Sequence, residues 1–251
     1  MTEDLIARIN ELYKKSKSPA GLTNAEKQEQ QRLRRQYVED FKKNLRGVLN
    51  NVDIKEPDGS ITHVKDIPKP TKQGIRIDIL NKRKNMNVNE HKRLSEIICE
   101  KVLEKLDEGD YENVCIYMPI HNEVDVTCLI DRLLEKNINI YCPVIKDNRM
   151  DFHLYESMEQ LQIGMYGIRE PKSEQILDCF DKTAIIMPGA VFTEKLDRIG
   201  YGGGYYDRYV DVHSECTTIA VAFSFQIVEE IPTESHDRKP SMLITESNVY
   251  S

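Results

Sequence analysis

A glycine-rich stretch at residues 198–209 carries the clearest chemical signal in the sequence. Four of the twelve glycines lie within five residues, namely Gly200, Gly202, Gly203 and Gly204. Glycine adopts positive φ freely and lets a ligand approach the main chain closely. A helical pattern follows at once, so the loop would direct several unpaired N–H groups toward one point, which suits phosphate. Asp207 and Arg208 add a candidate metal ligand and a charge partner; a plain turn before a surface helix is the alternative.

Other sites are less well supported. The stretch is not Gly-x-Gly-x-x-Gly after a first strand, and it lacks the Gly-Lys-Ser/Thr ending of a P-loop. No Ser-His-Asp or Cys-His set stands out by spacing. The six cysteines are scattered, with no Cys-x-x-Cys and no close histidine pair. We therefore expect neither a zinc site nor a disulfide framework, but reduced and mostly buried thiols.

Composition narrows the class of protein. A net charge of −7 argues against a general nucleic-acid binder, and a hydrophobic content of 39% is enough for a packed core. The N-terminus has no apolar signal region, and no long uncharged apolar run occurs in the chain. We expect a soluble, cytoplasmic protein that binds neither nucleic acid nor membrane.

From residue 72 onward, amphipathic helices alternate with short apolar strands. The helices are predicted at 72–84, from 87 onward, at 125–136 and after the glycine loop. The strands are predicted at 114–118, 140–144, 183–188, 218–223 and 242–245, with a further edge strand at 150–155. This alternation predicts an open, largely parallel α/β sheet with helices on both faces, of the Rossmann-like type. Ligands on such sheets lie beyond the carboxyl ends of the strands, so the loops at 118–123 and 187–190 should converge with the glycine loop on one crevice.

The first part of the chain reads as a separate module. Residues 1 to about 52 predict two helices, the second opened by a Thr23–Glu26 capping box. A turn at 56–59 and a linker at 67–70 follow. Residues 1–70 carry 14 Lys and Arg against 11 Asp and Glu, whereas the remainder carries 21 against 31. We predict a helical hairpin and linker at 1–66 and an α/β domain at 67–251.

The hairpin resembles the short bacterial YnzC-like proteins, which have no assigned biochemical role. The resemblance covers roughly residues 1–60 and rests on the segments 6–12, 22–23, 26–27, 33–37 and 41–42. It carries no chemistry with it. A solvated appendage and a hairpin that binds a partner or self-associates both remain open, since the narrow apolar seam has little to bury alone.

Residues 70–251 resemble the 5-formyltetrahydrofolate cyclo-ligase (methenyltetrahydrofolate synthetase) family through four motifs in family order. The segment 187–209, with its Met-Pro-Gly start and the glycine loop, is similar to the family signature. Lys72 to Arg76 resembles the opening Lys-x-x-Ile-Arg helix. Residues 122–127 resemble the Asn-Glu-Val-Asp turn after the first core strand, and residues 167–171 resemble a Gly-Ile-x-Glu-Pro segment.

The resemblance implies a role for each site residue. Lys72 and Arg76, four residues apart on one helix face, would bind ATP phosphates. The glycine loop would wrap the triphosphate and border the folate; it consists of Gly200, Tyr201, Gly202, Gly203, Gly204, Tyr205 and Tyr206. Asp207 and Asp237 would hold Mg²⁺. Glu123 would contact the folate, as would Met118, Gly203, Gly204 and Tyr205; either Tyr205 or Tyr206 would stack on a folate ring. Lys72, Arg76, Tyr205 and Asp207 would carry the catalysis.

The implied reaction is the ATP- and Mg²⁺-dependent closure of 5-formyltetrahydrofolate to 5,10-methenyltetrahydrofolate. Two positions depart from the family pattern: Ser241 stands where a second aspartate is common, and Tyr201 occupies a variable bulky position. The Ser241 departure and the extra hairpin motivate an alternative, a non-catalytic nucleotide- or folate-binding module coupled to a partner through the hairpin.

Overall fold

The computed structural model describes residues 3–17, 21–49, 53–55, 61–63, 70–234 and 237–251. Its contacts divide the chain into two compact units, 1–69 and 70–251. The predicted domain boundary between residues 66 and 67 stays a prediction. Across the described residues, no helix is both long and apolar enough to cross a membrane.

The first unit contains a helical hairpin, as predicted. Helix α1 spans Glu3–Ser16 and α2 spans Asn24–Leu49. The predicted capping box is confirmed, because the Thr23 N–H donates to Glu26 at 2.9 Å and the Glu26 N–H donates to the Thr23 hydroxyl at 3.3 Å. The short strands β1 (Asp53–Lys55) and β2 (Ile61–His63) pair antiparallel. The predicted turn at 56–59 and residues 67–69 of the predicted linker lie outside the described residues.

The second unit is built on seven strands in the order β13-β12-β11-β8-β3-β4-β5. The strands are β3 (Asn113–Cys115), β4 (Asn139–Lys146), β5 (Arg149–Leu154), β8 (Thr183–Met187), β11 (Thr217–Val221), β12 (Met242–Ile244) and β13 (Val249–Tyr250). The five central strands run parallel, and β5 and β13 pair antiparallel at the two edges. The predicted open, largely parallel sheet is therefore confirmed, including the extra edge strand.

Helices cover both faces of this sheet because its strands are apolar on both sides. The helices are α3 (Lys72–Lys84), α4 (Val88–Asp107), α5 (Leu129–Glu135) and α6 (Tyr205–Val212). One core cluster joins α4 and α5 to the sheet through residues such as Ile98 and Leu133. The other joins α6 to the opposite face, where Tyr209 packs edge-to-face on Phe152 with ring centroids 4.9 Å apart. The predicted cap of α4 is confirmed, since the Asn87 side chain accepts from the N–H groups of Asn89 and Glu90.

Two small antiparallel pairs lie outside the main sheet. They are β6 (Leu161–Ile163) with β7 (Arg169–Pro171), and β9 (Val191–Phe192) with β10 (Arg198–Ile199). Strands of two or three residues are too short to show an alternating pattern, so the sequence did not predict them. The second pair matters for the site, because β10 leads directly into the glycine loop.

The expectation of six reduced cysteines is wrong for one pair. Cys99 of α4 and Cys128 form a disulfide, with Cα atoms 6.8 Å apart. The remaining four cysteines are free thiols, of which Cys115, Cys142 and Cys216 are buried. A separation of 29 residues offers no spacing signal; the pair meets because α4 packs against the turn that precedes α5.

Candidate active site

One cleft of about 750 Å³ gathers all of the site residues that the sequence singled out. Its lining includes Lys72, Arg76, Met118, Glu123, Gly200, Tyr201, Gly202, Gly203, Gly204, Tyr205, Tyr206, Asp207 and Asp237. The cleft lies beyond the carboxyl ends of β3 and β8, where the predicted loops follow these strands. Residues from α3, two strand-end loops, the glycine loop and the C-terminal region therefore meet, as the topology rule requires.

The glycine loop adopts the backbone that its composition predicts. Gly202 has φ of +101°, and Gly204, which caps α6, has φ of +64°. The Arg76 side chain donates from Nε to the Gly200 carbonyl at 2.8 Å, which fastens the loop to α3. A Cβ at Gly204 would come within 2.9 Å of the Arg208 guanidinium, so this position tolerates only glycine without a shift of that side chain.

Lys72 opens α3 and is held by two carboxylates. Its ammonium lies 2.7 Å from Asp237 and 2.5 Å from Glu234. Burial lowers the pKa of Lys72, but the hydrogen bonds to Asp237 and Glu234 outweigh burial and raise it. The lysine is therefore charged at any physiological pH.

Asp207 lies in the first turn of α6 and pairs with Arg198. The Arg198 guanidinium donates to the Asp207 carboxylate at 2.7 Å, and the same oxygen accepts the Arg238 main-chain N–H at 3.2 Å. Arg198 also donates to the Pro188 carbonyl at 3.2 Å and is almost fully buried. Thus the two aspartates with predicted metal roles both line the cleft, and each already has a cationic partner.

The described residues contain no cluster of three or more His, Cys, Asp or Glu side chains able to hold a metal alone. Mg²⁺ commonly binds through only one or two protein carboxylates, with phosphate oxygens and water completing the octahedron. Two aspartates lining one cleft beside a phosphate-suited loop fit that mode. They do not fit an all-protein metal cage.

Glu123 also lines the cleft and is 4% exposed. Its carboxylate accepts the Ile120 N–H at 2.9 Å. Burial raises the pKa of Glu123, and interactions with the Tyr201 hydroxyl and the Ile120 N–H oppose that shift without cancelling it. Tyr201 as a residue is 40% exposed. Its hydroxyl nevertheless points inward, and burial raises the pKa of this phenol. Met118, beyond the end of β3, is buried in the same wall.

Tyr205 spans the mouth of the cleft. Its hydroxyl lies 3.2 Å from the Tyr166 hydroxyl in the β6–β7 loop and 3.3 Å from Asn148 in the β4–β5 turn. Its ring packs against Arg208, with the guanidinium carbon 4.9 Å from the ring centroid. Tyr206 instead turns inward: its buried hydroxyl has no hydrogen-bond partner among the described residues.

The sequence reading missed several residues of this site. Arg83, Tyr166, Arg198 and Glu234 all contact residues that the motifs identified. Two of them carried a usable signal. Arg83 follows Arg76 by seven residues on the same helix face, and Arg198 is the first residue of the 198–209 stretch. Ser241, where the family commonly has an aspartate, lies at the start of β12, where its N–H donates to the Thr218 carbonyl at 2.9 Å.

The fold and this cleft define an α/β domain that binds its ligand at the carboxyl edge of a parallel sheet. The model of the 5-formyltetrahydrofolate cyclo-ligase family matches residues 68–246, and the chain belongs to this family. A second model, described as a bacterial protein of unknown function (DUF896), matches residues 4–65. Both resemblances stated from the sequence are thereby confirmed.

Individual relatives agree with these matches. A probable 5-formyltetrahydrofolate cyclo-ligase of Schizosaccharomyces pombe is 33% identical over 170 residues, covering 61% of this chain and 83% of the relative. The solution structure of an Aquifex aeolicus 5,10-methenyltetrahydrofolate synthetase is similar with a TM-score of 0.65 and 32% identity, over 71% of this chain and 91% of that chain. A UPF0291 protein of Lachnospira eligens is 55% identical over 65 residues, covering 26% of this chain and 76% of the relative.

Proposed function

We propose that this protein is a cytoplasmic ligase that closes 5-formyltetrahydrofolate to 5,10-methenyltetrahydrofolate, using ATP and Mg²⁺ and releasing ADP and phosphate. One observation carries the proposal. Four separate motifs of the cyclo-ligase family, spread over more than 130 positions between Lys72 and Asp207, supply the walls of a single cleft.

The reaction explains why ATP is needed. A formamide carbonyl is a poor electrophile because its nitrogen donates into it, and its oxygen is a poor leaving group. Transfer of the γ-phosphoryl group to the formyl oxygen solves both problems. The folate N10 then forms its bond to the formyl carbon and loses its proton, the carbon–oxygen bond breaks, and the former formyl oxygen leaves as part of the phosphate.

The phosphate end of the cleft has the groups that such a transfer requires. Phosphoryl transfer depends on positioning and charge stabilisation more than on covalent help from the enzyme. Lys72 and Arg76 would bind the phosphates, and the backbone of residues 200–204 would approach them closely. Asp207 and Asp237 would hold Mg²⁺, which offsets the phosphate charge when bound. Arg198 keeps the Asp207 carboxylate oriented toward this end.

The folate end is built for a ring with several hydrogen-bond donors. The buried Glu123 carboxylate would accept hydrogen bonds from the pterin, as a carboxylate accepts from a base edge. Met118 contributes an apolar wall. Tyr205, at the mouth of the cleft, would pack on an aromatic part of the folate.

The proposal is tested by an absorbance assay. Purified full-length protein with ATP, Mg²⁺ and 5-formyltetrahydrofolate should generate the near-ultraviolet absorbance of the methenyl product. Omission of ATP or excess EDTA should abolish the signal. Folate binding by calorimetry without any turnover, over a range of metals and pH, would instead support a non-catalytic module.

A further inference from the structure

Arg83 is a buried cation with no role assigned so far. It lies in the last turn of α3 and is only 1% exposed. Burying a guanidinium costs free energy unless its N–H groups find hydrogen-bond acceptors. Packing alone therefore does not explain an arginine at this position. Its neighbours on the same turn, Lys82 and Lys84, are exposed and have no such constraint.

The Arg83 side chain ties together three loops of the cleft. From Nε it donates to the His121 carbonyl at 3.0 Å, in the loop that ends at Glu123. From one terminal nitrogen it donates to the Tyr201 hydroxyl at 2.7 Å, in the glycine loop, and lies 3.4 Å from the Gly189 carbonyl. The guanidinium also faces the Tyr201 ring, 5.5 Å from its centroid.

The loop held by Arg83 has a conformation that needs support. His121 and Asn122 both have positive φ, at +49° and +57°. Such residues are strained and persist only where their surroundings fix them. Arg83 contacts both residues. Its side chain donates to the His121 carbonyl, and its main-chain carbonyl accepts from the Asn122 side-chain amide at 3.3 Å. Glu123 follows directly.

A second path leads from Arg83 to Glu123 through Tyr201. The Arg83 N–H donates to the Tyr201 hydroxyl at 2.7 Å, and interaction with that hydroxyl lowers the pKa of the Glu123 carboxyl. Polar groups act strongly on one another in a buried setting. The same guanidinium therefore holds both the main chain next to Glu123 and the Tyr201 hydroxyl that acts on its carboxylate.

We infer that Arg83 is the positioning residue of the folate end of the cleft, holding Glu123 and Tyr201 in the orientation that recognises the pterin. This inference rests on the proposed function. Arg83 is not a catalytic residue, because it acts through Tyr201 and the 120–123 loop and does not line the cleft itself.

The ionisation of Glu123 provides a readout that a purely structural role would not change. Burial raises the pKa of Glu123, whereas Arg83 and His121 lower it. Tyr201 faces the carboxyl from the glycine loop, Tyr117 from β3 and its extension, and Tyr206 from α6. Of these groups, only Arg83 carries a permanent charge, so its removal should raise the pKa of Glu123 further.

The experiment compares Arg83→Gln, Arg83→Lys and Tyr201→Phe with Lys84→Gln, which removes one positive charge from the next residue of the same helix. Steady-state constants are measured for 5-formyltetrahydrofolate and for ATP, with kcat/KM for folate followed from pH 5 to 8. We expect Arg83→Gln to raise the folate KM by at least tenfold, to leave the ATP KM within twofold, and to move the acid limb of the profile to higher pH. Arg83→Lys should restore part of both effects, and Lys84→Gln should match the wild type.

Three outcomes would overturn the inference. The first is an equal change in the folate and ATP KM values, and the second is an acid limb that stays at the same pH. The third is full additivity of the effects of Arg83→Lys and Tyr201→Phe in the double variant, since side chains that interact directly should not act independently. If Arg83→Gln does not fold, the same measurements on Arg83→Lys and Tyr201→Phe test the inference. A wild type without turnover would refute the proposed function instead, and calorimetric folate binding by the same variants would still test the role of Arg83.

Discussion

Lys72 and Asp237 are each other's counter-ion: the lysine ammonium lies 2.7 and 3.0 Å from the two carboxylate oxygens of the aspartate. They are 165 positions apart, and the proposed function gives them different ligands, phosphate and Mg²⁺. A phosphate must therefore compete with Asp237 for Lys72, and a cation must compete with Lys72 for Asp237. When both bind, Lys72 would exchange Asp237 for a phosphate, and Asp237 would exchange Lys72 for a cation. Under the proposed function, the pair would therefore couple nucleotide binding to metal binding.

The first prediction concerns this coupling. Asp237→Asn should tighten the binding of metal-free ATP by roughly three- to tenfold, on the scale of about 1 kcal/mol, because it removes a competitor for Lys72. The same substitution should lower kcat by roughly 10²-fold or more, since a charge-stabilising group of the transition state is lost. Calorimetry with ATP in EDTA and the absorbance assay with Mg²⁺ measure the two effects. Glu234→Gln is the matched variant: it also relieves Lys72 but keeps Asp237, so ATP binding should tighten while turnover survives. Weaker ATP binding by both variants would contradict the coupling.

The second prediction concerns Asp207. Because the partner Arg198 is 4% exposed, truncation to alanine would leave a buried cation unpaired, at a cost of several kcal/mol in the free energy of unfolding. Asp207→Asn keeps an acceptor for Arg198 and tests chemistry apart from folding. We expect it to fold, with a melting temperature near that of the wild type, and to lose kcat by roughly 10²–10³-fold. Asp211→Asn, in the exposed half of the same helix, is the control. Normal turnover by Asp207→Asn would remove this residue from the metal site.

The main sheet could be predicted because its strands and helices carry strong periodic signals. The helix at 72–84 and the edge strand near 150–155 lie where the sequence placed them. The disulfide and the β6–β7 pair could not be predicted, for the same physical reason in both cases. Each depends on a tertiary contact that the local sequence does not indicate. The two cysteines have no characteristic spacing, and strands of three residues are too short to show an alternating pattern.

The site residues were predicted from sequence motifs. A motif identifies a residue and its expected ligand, but it does not show which other side chains that residue contacts. The sequence placed Tyr201 in the loop that would wrap the triphosphate and noted it as a bulky departure from the family pattern. In the structure its hydroxyl accepts from Arg83 and lowers the pKa of Glu123, which no one-dimensional pattern could reveal. Likewise the assignment of Lys72 to phosphate and of Asp237 to metal gave no hint that the two pair with each other. The expected ligand of a side chain can be predicted from its chemical type and motif, whereas its contacts with distant residues depend on the tertiary structure.

A third prediction uses the pKa of Glu123. A carboxyl group whose pKa is raised by folding stabilises the fold most at low pH, and this contribution is lost as the pH rises through the raised value. Glu123→Gln cannot ionise, so its melting temperature relative to the wild type should increase between pH 5 and pH 8, at about 2–4 °C for each kcal/mol. Glu96→Gln, an exposed control on α4, should show no such trend. A constant difference across this range would mean that Glu123 does not titrate there.

The fourth prediction separates the ring of Tyr205 from its hydroxyl. Tyr205→Phe removes the contacts to Tyr166 and Asn148 but keeps the ring over Arg208, so the folate KM should rise only about threefold, as expected for the loss of roughly one neutral hydrogen bond. Tyr205→Ala also removes the aromatic surface and should raise the folate KM by a further tenfold or more. Tyr166→Phe breaks the same hydroxyl pair from the other side but leaves the Tyr205–Asn148 contact, so it should reproduce only part of the effect of Tyr205→Phe. Equal losses for Tyr205→Phe and Tyr205→Ala would show that the hydroxyl, not the ring, contacts the substrate.

The last prediction concerns the hairpin unit. The described α1 and α2 form their own contacts, with Leu12 buried and Arg8 paired to Glu29 at 2.8 Å. The residues that the structure describes around the cleft belong to the second unit. Deletion of residues 1–66 should therefore leave kcat and both KM values within about threefold of the full-length protein, less than about 0.7 kcal/mol in activation free energy. The absorbance assay measures activity, and circular dichroism with thermal unfolding shows whether the remaining domain is folded. A truncated protein that is folded but inactive would mean that the hairpin contributes to the site or to an interface that the site requires. A truncated protein that is active but changes its oligomeric state would instead assign the hairpin to self-association.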